Sequence, residues 1–218
     1  MKKTVCAILA LLCLPAFALA ESAPSMNTAD MVTVTVETAL NPSLPENSEL
    51  TIIPVQNEDE TLAEQYSERT ELCQTEIAKL SETIRQYAAD EGTSGVEAYF
   101  GEVKDAEGNT VVLSELFSAQ TLVVNEFMPV VVENYDRAYG AITMAFQFKT
   151  PYAKDEMVVI LVGVHDPVTD EIVWTAVEGV GVGEDGAVQV EFTADIMEMI
   201  QNNITLLAVV SGGEALHP

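Results

Sequence analysis

The sequence predicts a mainly β fold of the α+β kind, an antiparallel β-sandwich with one long amphipathic helix packed on or beside it. Three observations predict it. Short apolar runs alternating with polar residues recur between Val32 and Val210, separated by Gly, Pro, Asn and Asp turn signals. One segment, Glu58 to about Ala89, instead repeats its apolar residues at helical spacing. The regular strand–helix alternation of barrel or doubly wound parallel sheets is missing.

Residues 1–20 have the form of a cleavable secretory signal. Lys2 and Lys3 precede an apolar run from Val5 to Leu14, Pro15 interrupts it, and Ala18-Leu19-Ala20 supplies the small residues of a cleavage site. The run is shorter than the roughly 20 residues of a membrane span. Lipidation at Cys13 does not fit, because Leu12 sits where a small residue is required. The mature chain is therefore expected to start near Glu21, and removing 20 of the 218 residues leaves 198. Cys6 and Cys13 go with the signal, so Cys73 is left alone and no internal disulfide forms. Loss of Lys2 and Lys3 takes the formal charge from −26 to −28. Such an acid excess repels nucleic acid and anionic membrane surfaces, and it favours solubility outside the cell.

Residues 21–30 read as a flexible leader. Val32, Val34 and Val36 alternate with Thr33 and Thr35 as a half-buried strand. After the turn residues Asn41-Pro42 and Pro45-Glu46-Asn47, Leu50 to Val55 form a second strand, which Pro54 places at an edge or an end. The long helix opens on acidic Glu58, Asp59 and Glu60, with Thr61-Leu62-Ala63-Glu64 as a capping box. Its stripe is Leu62, Tyr66, Cys73, Ile77, Leu80, Ile84 and Tyr87, and Gly92 stops it. Strands flank the helix on both sides, which favours packing on the protein's own sheet over a coiled-coil dimer and a monomer over a helix-mediated dimer.

Ala98 to Val103 is expected as a strand, followed by a hairpin turn at Asp105 to Asn109, a strand at Val111 to Leu113 and one helical turn at Ser114 to Ser118. Two short strands follow at Leu122 to Val124 and Val130 to Val132. Ile142 to Phe148 alternates, and Val158 to Val164 is apolar on both faces, as in a central strand. Turns at Asp166 to Asp170 and Glu184 to Gly186 separate strands at Ile172 to Val180 and Val188 to Phe192. A short helix from Ala194 to Gln201 leads to the last strand, Ile204 to Val210. The mature chain thus divides into a strand–strand–long-helix segment over 31–104, a β-sandwich over 105–212 and a tail over 213–218.

Candidate chemistry is sparse. Gly181-Val182-Gly183-Glu184-Asp185-Gly186 matches G-x-G-x-x-G, but a strand follows where a dinucleotide site needs a helix. His165 beside a turn has no sequence partner for a triad or a metal site. Cys73, Met197, Met199 and Trp174 read as core residues. Asp166, Asp170 and Glu171 are weak calcium candidates without EF-hand spacing. A lysine–asparagine crosslink would have to draw on Lys104 or Lys149 with Asn202 or Asn203, and ordinary surface lysines are the stronger reading. No catalytic constellation or cofactor motif emerges, so the expectation is a protein that is not an enzyme.

Leu44-Pro45-Glu46-Asn47-Ser48-Glu49-Leu50-Thr51-Ile52 precedes the acidic helix, then come Ala98-Tyr99-Phe100 with Asp105-Ala106-Glu107-Gly108, and last Asp185-Gly186-Ala187-Val188-Gln189-Val190-Glu191-Phe192. This order resembles an extracellular Ig-like β-sandwich module of secreted and surface proteins of gut Firmicutes, over about residues 40–212. The resemblance implies an immunoglobulin-like sandwich and carries no catalytic residues. It departs from the family in lacking tandem copies, a sorting signal and a closing membrane helix. The expectation is a secreted, non-catalytic adhesion, interaction or structural module, without stable membrane insertion and held noncovalently at the cell exterior if at all. Its partner would be a protein or glycan. A carboxylate-based secreted hydrolase and a calcium-stabilised binding module are the alternatives.

Overall fold

The alternating valines give β1 (Thr33–Thr35), followed by a single 3-10 turn and then β2 (Thr51–Pro54). Next come α1 (Glu60–Gln65), α2 (Ser67–Tyr87), α3 (Gly95–Phe100), β3 (Val103–Lys104), β4 (Thr110–Val111) and α4 (Leu113–Leu116). The remainder is β5 (Leu122–Glu133), a second 3-10 turn (Arg137–Tyr139), β6 (Ile142–Gln147), β7 (Met157–Asp166), β8 (Glu171–Val182), β9 (Ala187–Phe192), α5 (Ala194–Asn202) and β10 (Thr205–Gly212). The structure is a computed structural model that describes residues 32–55, 59–88, 94–117, 122–148, 151–183 and 185–212. The expected signal over 1–20, leader over 21–30 and tail over 213–218 lie outside the described residues, as do Glu58, Ala89, Gly92 and Ser118.

The mainly β, antiparallel character is as expected. The strands hydrogen-bond into one sheet, where two stacked sheets were expected. Its order is β1-β6-β9-β8-β7-β10-β5-β2, with every neighbour antiparallel. The β3–β4 hairpin joins β8 through one parallel bridge, Lys104 to Thr175. The sheet curls until β1 and β2, at its two ends, lie beside each other, giving a nearly closed, barrel-like wall. Strand twist drives such curling, and a bulge strengthens it locally. That bulge is in β5: Val209 pairs with Glu126 but Val210 pairs with Val124, which leaves Asn125 as an extra residue.

Curling creates an inside and an outside, and both are apolar at the middle of the sheet. Val158, Ile160 and Val162 of β7 face the inner core with Met128, Met144, Phe146, Val190, Phe192 and Leu207. Val159 and Leu161, one residue out of phase, face a second core with Phe127, Trp174, Leu206 and Ala208. A strand buried on both faces has no polar alternation to show, which is why β7 reads as one apolar run. The inner core also takes in Ile196, Met197 and Ile200 of α5. The second core is covered by helices: Cys73 and Leu80 of α2, Val96 and Phe100 of α3, and Leu113 of α4. The stripe read from sequence therefore packs on the protein's own sheet.

Trp174 anchors this second core. Its ring meets Phe100 edge-on at 4.9 Å and Phe127 at 5.8 Å, and it lies directly across the ladder from Gly163. A Cβ at Gly163 would come within 2.5 Å of the indole, so that position has to lack a side chain.

Three local expectations are corrected. Residues 98–100 lie in a helix rather than a strand. Ser94 caps it by accepting from the Val96 amide at 3.2 Å, Val96 and Phe100 share a buried face one turn apart, and Gly101 ends it at φ +62°. The long helix is capped by Asp59, which accepts from the Thr61 and Leu62 amides, and it breaks at Tyr66 into α1 and α2. The two short strands at 122–124 and 130–132 are one strand, β5. Pro129 is tolerated inside it because its carbonyl, which accepts from Val55 at 3.0 Å, points to the β2 side. The missing amide therefore faces the point where β2 ends, not the β10 ladder.

Leu80 is fully buried where α2 meets the sheet. Leu80→Ala is expected to lower stability by about 2–5 kcal/mol, whereas Glu82→Ala on the exposed face should stay within about 0.5 kcal/mol. Urea unfolding of the two variants checks the contrast, and equal effects would mean the helix is not packed on the sheet.

Candidate functional site

The residues singled out in sequence are mostly engaged in local structure. Asp166 accepts from the Val168 amide at 2.8 Å, and this bond is the chief reason its carboxyl lies below the usual carboxylate range. Asp170, at φ +58°, sits 2.9 Å from the Nε2 of His165, while Glu171 pairs with Asp166 across the hairpin. These acids shape the β7–β8 turn. Among the described residues, no group of three or more His, Cys, Asp or Glu is placed to hold a metal ion.

The glycine motif is a hairpin. Gly181 lies within β8, where a Cβ would collide with the Ala153 carbonyl, and Gly186 at φ +74° turns the chain into β9; Glu184 lies outside the described residues. Burial pushes the Cys73 thiol up to about 12, so it packs as a small apolar group rather than reacting as a thiolate. Met197 is fully buried, and Trp174 is 4 % exposed. Lys104 is 3.7 Å from Glu102, and the Asn202 and Asn203 amides donate to the carbonyls of Glu198 and Met199. Lys149 lies outside the described residues.

Two carboxylates that sequence reading missed are buried. Glu76 of α2 is 6 % exposed and receives Lys79 at 2.6 Å on one oxygen and the Tyr99 hydroxyl at 2.8 Å on the other. Burial first, and then this bond to a carboxylate, hold the Tyr99 hydroxyl far above its ordinary pKa. A signal for Glu76 was present: it lies between Cys73 and Leu80 at helical spacing, on the stripe itself. Glu126, beside the bulge residue Asn125, is 1 % exposed. Burial, and then the charge of Glu126, raise the pKa of Tyr152, and Asn125 acts the other way. Asn125 also donates to Ser211 at 2.8 Å, so polar groups collect where the bulge interrupts the ladder.

The accessible candidate is on the outer face of the sheet. The helices cover this face of β5, β10 and β7, and of β8 as far as Ala176. Beyond that edge, Glu178 and Val180 of β8 and Met157 of β7 lie in a groove of about 360 Å³ with Asp155, Gln189 and Glu191. A second groove of about 230 Å³, lined by Asp105, Val112, Glu115, Leu116 and Ala176 among others, shares Glu178 with the first. Met157 is 40 % exposed, and Val112, Leu116 and Val180 are each 38 % exposed. Neither lining contains a lysine, an arginine or an aromatic residue. The surface therefore alternates apolar and acidic groups. None of its residues was read in sequence as part of a site, because a half-exposed valine or methionine in a strand looks the same whether a helix covers it or not.

No protein-family model, curated protein or solved structure matches the chain. No helix among the described residues is long and apolar enough to cross a membrane.

Replacing Glu76 by alanine leaves the Tyr99 hydroxyl buried without its acceptor. Glu76→Ala is expected to lower stability by about 1–3 kcal/mol. In the Tyr99→Phe background the same change should have a smaller effect. A double-mutant cycle by urea unfolding checks this, and full additivity would show that the two side chains are not coupled.

Proposed function

We propose that the mature protein is a secreted, non-catalytic binding module that acts in adhesion or interaction at the cell exterior. The observation that carries this reading is the uncovered outer face around Glu178, where half-exposed valine, leucine and methionine side chains stand among acids. Exposed apolar groups that gather among polar ones mark interaction sites and ligand-binding grooves. Export is supported by the pattern of residues 1–20. Kinship with the Ig-like surface modules of gut Firmicutes belongs to the same proposal and is supported by the three sequence segments that resemble them.

A carboxylate-based hydrolase is the second reading. It is favoured by one observation: Glu178 and Glu191 line the same groove. A glycosidase of that kind needs two carboxyl groups flanking a sugar bond and commonly gains from aromatic platforms, and the groove offers no aromatic ring.

The test is to incubate the mature protein with isolated bacterial cell wall, a glycan array and host-surface proteins, and to follow both retention and product release. Saturable retention without turnover is the expected result. Release of a hydrolysis product that is abolished by Glu191→Gln would replace the binding reading with the hydrolase.

A further inference from the structure

We infer that the two grooves that share Glu178 of β8 dock a cationic peptide segment of a partner protein, one in which lysines or arginines alternate with apolar side chains. This rests on the reading of the protein as a binding module and names the face and the chemistry of its partner.

The pattern of the surface sets the pattern of the occupant. Along the outer face of β8, Ala176, Glu178 and Val180 follow at steps of two, so an acid stands between two apolar positions. Across the ladder, Val180 pairs with Met157 on one side and with Gln189 on the other. Val112, at the N-terminus of α4, and Leu116 within it extend the apolar strip, and Asp105 and Glu115 extend the acidic one. Five acids, Asp105, Glu115, Asp155, Glu178 and Glu191, thus surround four half-exposed apolar side chains. With no cation in either lining, an incoming lysine or arginine meets carboxylates inside the grooves, and the apolar side chains beside it lose water against valine, methionine and leucine.

Other occupants fit less well. A second copy of this chain would bring a formal charge of about −28 against the same charge, and its own groove would repel this one. Nucleic acid and anionic lipid are repelled for the same reason. A sugar ring finds no aromatic face to stack on, and no metal-binding cluster exists among the described residues.

The experiment uses the mature full-length chain and three synthetic hexapeptides: one alternating lysine with leucine, one with glutamate in place of every lysine, and hexalysine. Binding is read by fluorescence anisotropy at about 150 mM salt, where the screening length is about 8 Å and distant charges contribute little. The alternating basic peptide is expected to bind, the acidic one not to bind, and hexalysine to bind at least about tenfold more weakly, since it lacks the apolar contacts. Glu178→Lys and Val180→Ser are each expected to weaken the basic peptide by about tenfold or more, and Glu82→Lys on the exposed side of α2 by less than about twofold. Glu82→Lys makes the same change of net charge, so equal loss in the two lysine variants would overturn the inference in favour of general charge attraction. Hexalysine binding as tightly as the alternating peptide, or no binding of the basic peptide, would also overturn it. So would self-association in sedimentation that Glu178→Lys abolishes, which would make a second copy the occupant. If Glu178→Lys leaves retention on cell-wall or host material unchanged, the docking face is wrong while the binding-module reading stands.

Discussion

The sheet depends on the central strands β7 and β10 being apolar on both faces. Val158, Ile160 and Val162 go inward while Val159 and Leu161 go outward, and on β10 Leu207 and Val209 oppose Leu206, Ala208 and Val210 in the same way. Each face needs its own cover. Curling encloses the inner face, closed further by α5, and the helices α2, α3 and α4 lie over the outer one. With Cys73 free among the described residues, these two cores supply the apolar burial that stabilises the fold.

Much of this was legible in sequence because its signals are local. The alternation at Ile142 to Phe148, the unbroken run at Val158 to Val164, the turn at Asp105 to Asn109 and the stripe of Cys73, Ile77 and Leu80 each appear in the structure as elements of the expected kind. The misreadings share a cause as well. Ala98-Tyr99-Phe100 is apolar enough for a strand, and only its cap at Ser94 and stop at Gly101 mark a helix. Asn125 and Pro129 look like breaks between strands, yet a bulge absorbs the first and the end of β2 excuses the second. Neither compensation is visible without the pairing partner. The same limit applies to one curled sheet against two stacked ones, since both are built from strands with the same alternation.

The buried acids illustrate a different limit. In a chain with 35 acidic residues no single carboxylate stands out by type, and burial is what separates Glu76 and Glu126 from the rest. Glu76 is accommodated because Lys79 and Tyr99 satisfy both of its oxygens, so its role is to fix α2 against α3. The acids that face solvent around Glu178 have the opposite character. They gain significance from the uncovered valines and methionine beside them, and that juxtaposition exists only once the helices have left part of the sheet bare. The weak calcium candidates Asp166, Asp170 and Glu171 show the converse, residues notable in sequence that the fold uses to shape a turn.

Native-state hydrogen exchange of the protein tests the two-core sheet most directly. Amides of residues 158–162 and 206–210, which lie between both cores, should exchange only through global unfolding, at the free energy given by urea denaturation, while β1 and the β3–β4 hairpin exchange sooner. Exchange from β7 and β10 as fast as that from β1, or two groups of strands with separate global free energies, would contradict a single sheet stabilised from both sides.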